Sequence, residues 1–117
     1  IPGEVPQVNG FGTPLSIQKN GNYLKLNWGT TSGSCNTVNY AIYRGDLSSP
    51  FSYNHSAFIC DTGIDLTEDI EANLGSYYYI VVALTDINEG SYGKSSTGAE
   101  RPVGFTSCKA AQNIDPC

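Results

Sequence analysis

Tyr77-Tyr78-Tyr79-Ile80-Val81-Val82-Ala83-Leu84 is the stretch that decides the fold class. Aromatic and β-branched residues dominate it. They suit a pleated surface and lose side-chain freedom in a helix. The run lacks polar alternation, so the expectation is a strand buried on both faces. It also falls far short of the roughly 20 apolar residues that cross a bilayer.

Working outward, Tyr23 to Trp28 places Leu24, Leu26 and Trp28 on one face of a strand. Asn20-Gly21-Asn22 before it is a hairpin turn signal that joins it to Leu15-Ser16-Ile17. Val38 to Arg44 is a further strand with Val38, Tyr40 and Ile42 inward or nearly so, and Phe58-Ile59-Cys60 a short one. Ile64 to Ala72 is read as mostly strand, Asp86 to Gly90 as a turn, and Tyr92 to Val103 as the last strand, bulged at Gly98. About seven short strands with regularly spaced turn signals predict an all-β, two-sheet sandwich. Trp28, Tyr40 and Val81 are assigned to its core.

The whole chain agrees with that reading. Of 117 residues only 15% are charged, while Gly 13 and Pro 6 supply turns and helix formers are scarce. The net charge is −5, and six basic residues are scattered rather than clustered. A nucleic-acid binder needs a basic stripe, so that partner is excluded, and an anionic membrane surface is disfavoured. The chain opens on Ile1 rather than Met, from which removal of something upstream is expected. Cys35, Cys60, Cys108 and Cys117 lack the tight pairs of a zinc site and form no Cys-x-x-Cys. Two disulfides in an oxidising compartment follow. Three pairings are open in principle; Cys35–Cys60 with Cys108–Cys117 is favoured, since the last two are close and follow the final strand.

Leu24-x-Leu26-x-Trp28, Tyr40-x-Ile42-Tyr43-Arg44 and the Tyr77–Ala83 strand leading to Asn88-Glu89-Gly90 resemble a fibronectin type III domain. The string from Asn88 to Pro102 resembles a divergent variant found in secreted and surface proteins of environmental bacteria. The resemblance covers residues 13–108 and implies an immunoglobulin-like sandwich, with a corner tyrosine at Tyr77, Tyr78 or Tyr79. The leucine usual six residues before that tyrosine is absent. The chain divides accordingly into an extended arm (1–13), the sandwich (14–108) and a disulfide-tied tail (109–117).

Candidate sites are few. His55 has no Gly-x-Ser-x-Gly elbow to serve, and is expected as a solvated loop residue. Asp61, Asp65, Glu68, Asp69 and Glu71 form an acidic stretch without a calcium-loop pattern, which reads as a charged edge. No metal and no cofactor are therefore expected. Arg44-Gly45-Asp46 spells an adhesive tripeptide, but Gly45 is explained as a turn after the strand. Tyr43, Tyr53 and Tyr92 are candidates for exposed surface tyrosines, suited to an interface or to sugar stacking. Asn54-His55-Ser56 is a sequon, making Asn54 a candidate glycan site.

With no nucleophile–base pair or phosphate loop in view, the expectation is a non-enzymatic, extracellular or cell-surface structural protein. It is read as a subunit of a self-assembling filament or pilus-like fibre whose partners are head-to-tail copies of itself. Val5, Val8 and Phe11 of the proline-punctuated arm are expected to dock on a neighbouring copy. The alternative is a carbohydrate- or protein-binding module, or a spacer, of a larger secreted protein.

Overall fold

Gly21 and Asn22 close the first hairpin. In this computed structural model, which describes residues 1–7, 14–31, 35–47, 50–72 and 76–115, Asn20 pairs with Tyr23 across a two-residue loop. Gly21 takes φ +62°, the left-handed conformation that tight hairpin turns require at this position. The strands are β1 (Ser16–Asn20), β2 (Tyr23–Asn27), β3 (Asn39–Asp46), β4 (Ser56–Ile59), β5 (Thr67–Glu71), β6 (Tyr77–Leu84), β7 (Asn88–Glu89) and β8 (Ala111–Gln112). They form a three-stranded sheet, β1-β2-β5, and a five-stranded sheet, β4-β3-β6-β7-β8. All pairs are antiparallel except β7 with β8. The protein is an all-β, disulfide-bonded sandwich.

One apolar layer lies between the sheets. Leu26, Trp28 and Ile70 come from one side, Tyr40, Ile42, Val81 and Ala83 from the other. Trp28 is buried and meets Tyr40 edge-on, 5.8 Å between centroids. A second layer lies on the opposite face of β3 and β6, where Ala41, Tyr43, Ile80, Val82 and Leu84 pack with Tyr92. The chain after β7 folds back over this face. Phe105 N donates to His55 O (2.9 Å), Ala57 N to Thr106 O (3.0 Å) and Cys108 N to Tyr43 Oη (2.9 Å). β3 and β6 are thus covered on both faces, which is why β6 can be apolar without alternation.

Several expectations need correction. The predicted strand from Tyr92 to Val103 is instead the start of that cover: only a Lys94–Glu100 bridge forms, around a turn in which Gly98 takes φ +85°. The expected turn at Asp86–Gly90 contains β7. In the Ile64–Ala72 stretch only Thr67–Glu71 is strand, because Ile64 adopts φ +65° in the turn before it. Val38 precedes β3 and is exposed.

The disulfide pairing also differs. Cys60 bonds Cys108 with the Cα atoms 5.4 Å apart, so neither Cys35–Cys60 nor Cys108–Cys117 forms. Proximity in sequence misled here, because the returning cover brings Cys108 beside the end of β4. Cys35 is disulfide-bonded too, and Cys117 lies outside the described residues.

Val5 does not wait for a neighbour. It sits in the layer between the sheets of its own chain, 6% exposed, where burial of such a side chain contributes about 1.5–3 kcal/mol. The prolines of the arm keep residues 1–7 out of both sheets without keeping them out of the core. Val8 and Phe11 lie outside the described residues.

Candidate functional site

The polar groups with chemical potential gather beneath the cover. Glu89 on β7 is 1% exposed, and its carboxylate accepts hydrogen bonds from Tyr43 Oη (2.5 Å) and Tyr92 Oη (2.7 Å). The pairing of Glu89 with Leu84 turns its side chain toward this layer. Burial, then the bond to Glu89, pushes the Tyr43 hydroxyl up to about 12. Burial raises Tyr92 as well, helped by Tyr43 and Glu89. The Tyr43 and Tyr92 rings lie 4.7 Å apart.

His55 closes the cluster from the loop before β4. Its ring is 2% exposed, which overturns the expectation of a solvated loop histidine. Nε2 lies 2.6 Å from the carbonyl of Pro102, which can only accept, so Nε2 carries the proton and Nδ1 accepts from Tyr78 Oη at 2.9 Å. Burial depresses its pKa below the usual 6.5; the ring is held neutral. Tyr78 Oη also accepts from Asn54 N at 2.8 Å. Tyr43 and Tyr92 are likewise interior, not surface residues.

These side chains span an acid, a base and three phenols; all are buried except Tyr78, which is half-buried and faces the cleft beside the cluster. Glu89, Tyr43 and His55 lie beneath the cover, and Tyr92, part of the cover, packs over them and reaches the edge of the cleft. The cluster ties the cover to the sheet through these hydrogen bonds. Glu100 extends it outward, accepting from Ser91 Oγ (2.7 Å) and Tyr92 N (2.9 Å).

Beside the cluster opens a cleft of about 370 Å³, lined among others by Gln7, Leu47, Phe51, Tyr53, Tyr78 and Arg101. Phe51 is half exposed and stacks edge-on against Tyr53 and Tyr78.

The other singled-out residues have structural partners. Arg44-Gly45-Asp46 is extended within β3, not a loop, with Gly45 buried and the Arg44 guanidinium stacked between Phe58 (4.1 Å) and Tyr77 (4.4 Å). An adhesive tripeptide must present its arginine freely, and this one does not. Asp61 Oδ1 accepts from Asn39 Nδ2 and Gly63 N, both at 2.8 Å; these bonds lower its pKa and fix the turn. Asn54 is half buried, and its Oδ1 accepts from Asp46 N at 2.8 Å. Among the described residues no three His, Cys, Asp or Glu side chains converge as metal ligands would. The sequence places Glu89 in a turn, as one of the oxygen donors that calcium would accept with Asp86 and Asn88, and does not connect it with the buried tyrosines. Its spacing from Tyr92 was the one available signal.

Comparison with protein-family models, with curated proteins and with solved structures finds no match in any of the three.

Proposed function

We propose that this chain is a non-enzymatic structural protein of the extracellular space, a fibronectin type III-like subunit that adds to copies of itself, head to tail, in a surface filament. The observation that carries this reading is the three-stranded sheet. Among the described residues both of its outer strands lack a neighbour, and they differ in charge. β1 is exposed along its whole length and bears Lys19; β5 bears Glu68, Asp69 and Glu71. Open edges are templates for strand addition. Unlike edges of opposite sign favour a heterologous contact, which propagates instead of closing on itself. A disulfide, and the lack among the described residues of a helix long and apolar enough to cross a membrane, are compatible with export.

Electron microscopy and sedimentation of the purified chain test the reading. Polymers are expected, weakened by high salt and by Lys19→Glu. A monodisperse monomer at every concentration overturns it. The half-exposed Phe51 at the cleft favours a second reading, a binding module of a larger secreted protein. That reading predicts a monomer whose tyrosine emission changes on adding an oligosaccharide.

A further inference from the structure

Residues 1–7 place two buried side chains, Pro2 and Val5, in a sandwich whose sheets they do not join. The groove that holds them is built from distant parts of the chain. Asn36 N donates to Ile1 O (3.1 Å), Thr37 Oγ1 to Pro2 O (2.6 Å) and Gln7 Nε2 to Lys94 O (3.3 Å), while the Ile1 amino group donates to Asn36 Oδ1. The fit is close at Gly90, where a Cβ would stand 2.1 Å from the Gly3 carbonyl oxygen. None of these contacts requires arm and groove to belong to one chain.

We infer that in the assembly proposed above the arm of one copy fills the groove of the next, and that the self-docked arm is the unassembled form. This rests on the self-assembly reading. The occupant is specified by the groove itself, which is already complementary to this peptide. No cysteine precedes Cys35, so no disulfide ties the arm to the sandwich. The eight residues from Val8 to Leu15 stand between arm and sheet, and eight residues reach at most about 29 Å. Exchange keeps every arm contact, so it costs little, and the open-ended form leaves one free arm and one vacant groove at the two ends of a growing fibre. A chain's own arm competes at an effective concentration on the mM scale. Assembly is therefore expected only above a threshold concentration, after a lag.

Cross-linking of the Gln7→Cys/Lys94→Cys protein tests this, using a short thiol-reactive bridge. The native cysteines Cys60 and Cys108 are closed. In dilute, unassembled protein the bridge should form within one chain, which verifies that the substituted arm still seats. In assembled material the same bridge should join chains into a ladder under denaturing electrophoresis. Mixtures of Gln7→Cys protein with Lys94→Cys protein should give mixed covalent dimers only in the assembled fraction. Filaments whose bridges remain within single chains overturn arm exchange and leave the self-assembly reading standing. Bridges that stop at a reciprocal dimer overturn the open-ended form of the exchange. Failure of the unsubstituted chain to polymerise overturns both.

Discussion

The Tyr78 ring lies across the backbone of Gly45, its partner in the β3–β6 register. A Cβ on Gly45 would stand 2.4 Å from that ring, so the glycine is required by the tyrosine and not by a turn. Tyr78 has little freedom to yield, since its hydroxyl bonds both His55 and Asn54. An aromatic ring over a cross-strand glycine covers backbone that would otherwise be exposed.

Gly45→Ala is therefore expected to destabilise the fold by about 1–3 kcal/mol, the usual range for overpacking. Tyr78→Ala should be destabilising too, and should relieve the clash. The double variant is then less damaged than the sum of the two single ones. Urea midpoints at constant m-value measure this; simple additivity would show that the two residues do not compete for the space.

Stability should fall as pH drops below about 6.5, because of His55. Its folded pKa lies below the ordinary 6.5, so the unfolded chain takes up the proton first. The contribution is fully present above 6.5, and it is lost as pH falls from there toward the lower folded value. The slope approaches at most about 1.4 kcal/mol per pH unit. Burial raises Glu68 from 4.5, which acts in the opposite sense, so a His55→Gln control is needed. Denaturation midpoints between pH 7 and 5 should slope less in that variant; an unchanged slope removes His55 as the cause.

What the sequence made legible was periodicity and turn chemistry. Gly21-Asn22, the Leu24-Leu26-Trp28 alternation and the uninterrupted Tyr77–Leu84 run each have a local physical cause, and each lies where it was expected. The cover after β7 was illegible, because its conformation is set by what it covers. Tyr92 reads as a surface strand residue until Glu89 and Tyr43 are placed beneath it. His55 reads as a loop residue for the same reason, and its partner Pro102 O is 47 residues away. The cysteine pairing failed with them, since it too depends on the path of the cover.

Removing one of the two hydroxyls that donate to Glu89 should be costly. Tyr43→Phe leaves the buried carboxylate with one phenol donor, and takes the acceptor from Cys108 N. A loss of about 1.5–3 kcal/mol is expected for a bond to a charged group. Tyr43→Phe combined with Glu89→Leu should recover part of it, because no charge is then left uncompensated. Equal damage in the single and double variants would show that Tyr43 acts through packing alone.

The Cys60–Cys108 bridge fastens the cover, and its loss should loosen that layer before the rest. With the two cysteines 48 positions apart in sequence, the chain-entropy relation gives about 4 kcal/mol. Cys60→Ser/Cys108→Ser should lower the urea midpoint accordingly. The two apolar layers offer separate reporters: Trp28 lies between the sheets, whereas Tyr43 and Tyr92 lie under the cover. In the variant the near-ultraviolet dichroism of the tyrosines should decline at urea concentrations where Trp28 emission is still that of a buried indole. Coincident transitions would mean that the cover and sandwich unfold as one unit without the bridge. Digestion of the native protein without reduction should yield a peptide joining Cys60 to Cys108; recovery of Cys35 joined to Cys60 would restore the pairing expected from proximity in sequence.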